Sequence, residues 1–349
     1  MQFFKQFGGK LTKERIEVYS KSPNWNGKNF INLEETDMDI GLKDIPRLLY
    51  KQIFKKEGKF PAKSIPIQPF DKEAFLAPSD HAKLIWYGHS VMLMRINNQT
   101  LLIDPMLGPD ASPVAPFAVK RFSENTLAII DHLPEIDVLL MTHDHYDHLD
   151  LASITKLMPK VKRYITSLGT GRHFEDWGVD KSVITEMDWW DSITLEGVEI
   201  HCTPSRHFAG RGGNNRAKSF WCGWAFKTHN ENIYFSGDGG YGSHFAEVGK
   251  RLGPFDFGLM ECGQYNKLWH LIHMYPEEAV QAAVDARVAK SMPVHWGGFA
   301  LALHSWTEPV ERFGAEAKRQ KHNYILPKLG EQFAADAFIQ APWWKEFES

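Results

Sequence analysis

The apolar run Val138-Leu139-Leu140-Met141 leads straight into Thr142-His143-Asp144-His145-Tyr146-Asp147-His148. A short apolar run that ends in polar residues reads as a buried strand. The polar run then sets three imidazoles and two carboxylates within residues 143–148. Nitrogen and oxygen donors at that density suit zinc and related transition metals. A solvated polar loop would need the same density to arise by accident. The fold therefore has to bury this strand and open its C-terminal end onto a ligand site.

Three later segments repeat the arrangement. Thr203-Pro204-Ser205-Arg206-His207 follows a strand expected at 198–202, and Gly237-Asp238-Gly239 follows one that starts near Asn232. Pro293-Val294-His295-Trp296-Gly297 follows a third. Each puts a His or Asp at the C-terminal end of a strand, where ligand sites gather in α/β folds. Strand ends brought side by side would converge His143, His145, Asp147, His148, His207, Asp238 and His295 on one point. That set exceeds what one tetrahedral ion uses and suits two divalent ions, with Asp238 as the shared carboxylate. Alone, His207 would read as a surface histidine and Asp238 as a turn residue. Their place in the series argues for ligands.

Further β-type runs lie at 83–87, 90–96, 100–103, 182–185, 192–195, 219–228, 232–236, 257–261 and 291–295. Asn97-Asn98 is a hairpin turn signal. Helices are expected at 149–157, 243–251 and 277–290, the last opened by Pro276 and two glutamates. Two strand-rich halves with covering helices predict a layered α/β sandwich. The candidate ligands are spread through residues 82–325, which read as one domain. Residues 1–81 read as an extension packed on it and 326–349 as a C-terminal tail. Leu42, Ile45, Leu48, Leu49 and Ile53, with lysines between them, predict a basic amphipathic helix in the extension. It either covers a core edge or lies on an anionic membrane surface.

A net charge of −3 offers no basic face, so nucleic acid is not an expected partner. Three cysteines without a Cys-x-x-Cys pair suit a reducing cytoplasm. The first residues hold no sustained apolar stretch, so no signal peptide is expected, nor is a membrane span. The expected location is cytoplasmic, with peripheral membrane association as a further expectation.

The donor motif, its strand-end partners and their order resemble the metallo-β-lactamase fold superfamily. Other segments narrow the resemblance over roughly residues 40–325. They are Trp86-Tyr87-Gly88-His89-Ser90, Leu102-Ile103-Asp104-Pro105, Asp188-Trp189-Trp190, Gly253-Pro254-Phe255-Asp256, His273 with Pro276-Glu277-Glu278, and His295-Trp296-Gly297. They resemble N-acyl-phosphatidylethanolamine-hydrolysing phospholipase D and its bacterial relatives. The resemblance implies a four-layer αββα sandwich. It implies that His143, His145 and His207 hold one metal, that Asp147, His148 and His295 hold the other, and that Asp238 bridges them. Zinc is the expected ion, with iron or manganese as alternatives.

The implied activity is phosphodiester hydrolysis on N-acyl phospholipids by a metal-bridging hydroxide, with Asp147, Asp238 and His273 as the catalytic candidates. Two divalent ions, two carboxylates and one hydroxide leave about +1, which favours an anionic lipid or small-molecule substrate. His273 would face the reacting group; otherwise it is a capping histidine. His89 and Asp104 would either orient ligands or serve their turns. Arg206 and Arg211 could pair with phosphate. Trp189, Trp190, Trp343 and Trp344 would sit in the core or at a membrane interface. The animal enzyme carries glutamine where this chain has Ile272, and the segment 209–218 also departs from the family. Ascorbate-6-phosphate lactonase shares the donor style, so a metal-dependent lactonase or esterase is the alternative chemistry. A non-catalytic metal-binding scaffold is a further alternative, and oligomeric state is left open.

Overall fold

The computed structural model describes residues 5–38, 43, 46, 50, 58–112, 118–212 and 215–348. Leu42, Ile45, Leu48, Leu49 and Ile53, which carry the expected helix, lie outside the described residues. Strands β1 (Lys83–Trp86), β2 (Met92–Ile96), β3 (Gln99–Ile103), β4 (Ile136–Met141), β5 (Val161–Ser167) and β6 (Ile184–Met187) form one sheet in sequence order. Asn97 and Asn98 turn β2 into β3 with φ of 45° and 62°, a left-handed pair that asparagine tolerates. The second sheet is built from β7 (Ser192–Leu195), β8 (Val198–Thr203), β9 (Gly223–Lys227), β10 (Asn232–Phe235), β11 (Phe257–Glu261), β12 (Lys290–Val294) and β13 (Asn323–Tyr324).

The two sheets pack face to face. β4 pairs in parallel with β3 and β5, and its central position explains its nearly unbroken apolar sequence. Val138 and Leu140 point into the core between the sheets, with Trp224 and Ile233. Leu139 and Met141 point outward, under helices that contribute Phe75, Ile154 and Phe174. On the second sheet, helices His244–Arg251, Pro276–Asp285 and Glu308–Gln320 bury Phe245, Val280 and Phe313. The result is the expected αββα sandwich.

Several boundaries differ from expectation. The strand expected at 219–228 begins only at Gly223, because Phe220 and Cys222 donate across to Leu168 and Thr142, just past the ends of β5 and β4. The helix expected at 277–290 ends at Asp285, where Arg287 turns left-handed and the chain enters β12. Residues 326–349 contribute β14 (Gln332–Ala334), which pairs with β1 and completes the first sheet. Trp343 and Trp344 are buried against Trp296, and Trp189 is buried against Phe220. These three rings pack the core. Trp190 is half-buried and lies under Arg251.

Candidate metal centre

All seven sequence-selected donors come together at the C-terminal ends of the strands. His143, His145, Asp147 and His148 follow β4, His207 follows β8, Asp238 follows β10, and His295 follows β12. Asp104, after β3, and His89, after β1, stand behind them. His89, Asp104 and His295 all have left-handed backbones, with φ of 55°, 44° and 67°. Such angles are uncommon outside glycine, though Asp and His tolerate them better than most, and they persist where surrounding bonds impose them. Here the His89 amide donates to Trp296, and the His295 amide donates to His89.

Hydrogen bonds behind the rings fix which nitrogen faces inward. Thr142 Oγ1 donates to Asp104, so it accepts from His143 Nδ1 at 3.0 Å. His148 Nδ1 donates to Asp104 at 2.8 Å, and His207 Nδ1 donates to the Ile272 carbonyl at 2.9 Å. All three Nε2 atoms point into the centre, and on the neutral rings His143 and His207 they are left with lone pairs. His143 Nε2 lies 2.9 Å and His207 Nε2 3.2 Å from His145 Nδ1. Burial pushes all three of these imidazoles down, His145 to about 4, so they stay neutral. A single proton on His145 Nδ1 would serve the two facing lone pairs unequally, whereas one cation can accept from all three nitrogens.

The second group has the opposite balance. His148 Nε2 and His295 Nε2 lie 2.9 Å and 3.0 Å from Asp238 Oδ2, and Asp147 Oδ2 lies 3.4 Å from His295 Nε2. Burial disfavours charge on His148, but Asp238 and Asp147 outweigh it and lift the ring to about 10. Burial would likewise raise the Asp238 carboxyl, yet His148 and His295 hold it well below the usual range. Protons thus supply the positive charge that two ionised carboxylates demand. A divalent cation would supply it in their place. Asp238 Oδ2 is also 3.9 Å from His143 Nε2 and 4.0 Å from His207 Nε2, so it stands between the two groups. Donor chemistry and spacing therefore fit divalent metal ions. His89 Nε2 donates to Asp147 Oδ2 at 2.9 Å, and so holds that carboxylate from behind.

A cleft of about 230 Å³ opens over this cluster. Asp147, Asp238 and His273 lie on its wall beside the apolar Met38, Phe208, Trp269 and Leu301. A second cleft, of about 440 Å³, shares His207, Phe208 and Ile272 with it and runs along residues 29–37. Arg206 and Arg211 are not free to meet a phosphate. Arg206 donates to Thr36 and the Tyr241 carbonyl, and buried Arg211 to the carbonyls of Gln6, Asp144 and Leu149.

Two residues at the centre escape the strand-end series as read from sequence. Glu261 ends β11 and contacts both His273 and His295; extending the strand-end rule to this carboxylate would have reached it. Asn32 carries no such signal. Its amide brackets His207, accepting from the backbone N–H at 3.1 Å and donating to the carbonyl at 2.8 Å, and it also accepts from Trp221 Nε1. The N-terminal extension is thereby tied to a candidate ligand. Asn32→Ala is expected to cost about 1–3 kcal/mol by leaving these groups unmatched. It should also weaken metal retention. A variant with wild-type thermal unfolding and metal content would count against the tie.

A family model described as a beta-lactamase superfamily domain matches residues 99–296. An uncharacterised protein of Mycobacterium tuberculosis (strain ATCC 25618 / H37Rv) is 33% identical over 334 residues, covering 94% of this chain and 89% of that protein. N-acyl-phosphatidylethanolamine-hydrolyzing phospholipase D 1 of Caenorhabditis elegans is 29% identical over 268 residues, covering 72% of this chain and 75% of the relative. Among solved structures, isothiocyanate hydrolase from Delia radicum gut bacteria superposes with a TM-score of 0.57 at 22% identity, covering 72% of this chain and 98% of that one. The family match spans more than half of the sequence and all seven candidate donors. The chain belongs to the beta-lactamase superfamily, as a metal-dependent hydrolase with the metallo-β-lactamase fold and a relationship to the N-acyl-phosphatidylethanolamine-hydrolysing phospholipases D.

Proposed function

We propose that the protein is a binuclear phosphodiesterase of phospholipase D type, acting on N-acyl-phosphatidylethanolamine-like lipids, with zinc as its metal. The observation that carries this is the joining of two donor groups through Asp238 beneath a cleft with an apolar wall. His143, His145 and His207 would hold one ion, Asp147, His148 and His295 the other, and Asp238 both. Ions bound there would polarise a substrate oxygen and make water acidic enough to ionise near neutral pH.

The chain's own side chains supply position and proton handling. Met38, Phe208, Trp269 and Leu301 would exclude water and take the aliphatic part of the substrate. His273 lies on the same wall with Nδ1 bonded to Glu261 at 3.1 Å, which leaves a lone pair on its other nitrogen to take up a proton from the attacking water and pass it to the leaving alkoxide. Ile31 and Leu33, 43% and 56% exposed on the adjoining cleft, support contact with a lipid surface. No described helix is long and apolar enough to cross a membrane, so peripheral contact is the mode proposed.

Metal-loaded protein incubated with N-acyl-phosphatidylethanolamine in mixed micelles should release N-acylethanolamine and phosphatidic acid, detectable by mass spectrometry. Turnover of lactones or soluble phosphodiesters with no lipid product would reject the lipid assignment.

A further inference from the structure

Glu261 is fully buried at the end of β11. Its Oε1 lies 3.1 Å from His273 Nδ1 and 3.3 Å from His295 Nδ1, while its Oε2 accepts the Met274 amide at 3.0 Å. A carboxylate accepts hydrogen bonds and does not donate them. Both rings therefore present Nδ1–H to it, His295 Nδ1 lying also 3.4 Å from the Gly263 carbonyl, and with a metal in place of the second proton both keep a lone pair on Nε2. On His295 that atom is the one aimed at Asp238 and Asp147. The two rings stack almost parallel, 5.1 Å apart at 11°. A ring nitrogen of His273 also falls within 4.8 Å of donor atoms of His207 and Asp238.

We propose that Glu261 is a positioning residue serving the metal centre and the proton-handling histidine together. Through His295 it presents a ligand lone pair, and through His273 it presents a lone pair to the cleft. One carboxylate thus sets two tautomers, which ties the readiness of His273 to the geometry of His295. This deepens the two-metal reading and rests on it. Glutamine at this position cannot reproduce the arrangement. With its oxygen facing the rings, its NH₂ meets the Met274 N–H, donor against donor. Turned over, the NH₂ faces both imidazoles and drives them toward the Nε2–H tautomer, which removes the lone pairs.

The test uses full-length protein, wild type and Glu261→Gln, labelled with ¹⁵N-histidine and loaded with zinc. Long-range ¹H–¹⁵N NMR reads the tautomers, chelator competition reads zinc affinity, and elemental analysis counts ions per chain. The expected wild type holds two zinc ions with His273 and His295 both protonated at Nδ1. Glu261→Gln should lose about 10–100-fold in affinity at one site, as changes behind metal ligands do, with kcat falling more than KM rises. Glu261→Asp, which keeps the acceptor chemistry, should restore the tautomers.

Unchanged affinity and tautomers in Glu261→Gln would overturn the assignment. So would a wild type with three zinc ions and a variant with two, which would make Glu261 a ligand. If the glutamine variant does not fold, a wild-type His273 or His295 protonated at Nε2 overturns it equally. A wild type that binds fewer than two ions would instead defeat the two-metal reading beneath it.

Discussion

Asp238→Asn is expected to reduce hydrolysis by roughly 10²–10⁴-fold, since metal charge stabilisation is worth several kcal/mol and each 1.36 kcal/mol is tenfold. Asparagine keeps the volume of the side chain but removes the charge that faces four imidazoles. Oδ2 stands 2.9 Å from His148, 3.0 Å from His295, 3.9 Å from His143 and 4.0 Å from His207. An amide oxygen there is a weaker ligand, and an amide NH₂ would point a donor at the centre. Zinc per chain should fall below two in the same variant. Elemental analysis together with turnover of a soluble phosphodiester checks both effects. A variant that keeps two ions and full activity would remove Asp238 from the shared position and undermine every hydrolytic reading of the site.

The donors were legible in the sequence because they obey a pattern. Each follows an apolar run and each has metal-ligand chemistry, so strand ends could be matched across more than 150 residues, from His143 to His295. Elements with mixed composition were harder. β5 begins with Val161-Lys162-Arg163, whose lysine and arginine are exposed at the strand's start, and only its later residues are buried. Helix Glu308–Gln320 carries a helical stripe at Val310, Phe313 and Ala317 that would have revealed it. Glu261 needed only the strand-end rule carried to one more carboxylate, whereas Asn32 was beyond a local pattern of any kind. A lone polar residue acquires meaning only when the fold brings a partner to it, as the Asn32 amide is brought to His207 across 175 positions. The metal chemistry is therefore written in residue types, whereas its orientation is written in the tertiary structure.

Asp144 separates these two levels within a single motif, and its replacement by alanine is expected to cost about 3–5 kcal/mol, the usual penalty for stripping one partner from a buried charge cluster. It lies between His143 and His145, yet its oxygens bond away from the centre. Oδ1 accepts the Gly210 amide at 2.6 Å, and Oδ2 accepts His173 Nε2 at 2.9 Å and the Ser219 hydroxyl. Arg172 Nη2 lies 3.5 Å away and is itself buried, with the carbonyls of Gly9, Gly169 and Lys218 as its other partners. Burial works against ionisation of Asp144, but His173 and Arg172 outweigh it and hold the carboxyl well below its usual range. Alanine would strip a buried guanidinium of the carboxylate that lies 3.5 Å from it. Asparagine, which retains one acceptor, should cost less, about 1–3 kcal/mol. Urea denaturation of metal-free protein isolates this effect, because no ligand is removed in either variant. A metal-free Asp144→Ala within about 0.5 kcal/mol of wild type, the range of ordinary surface changes, would show that the cluster does not anchor the motif. If the loss appears as expected, zinc affinity should fall with it, since the Gly210 contact ties the strand end carrying His207 to the loop carrying His143 and His145.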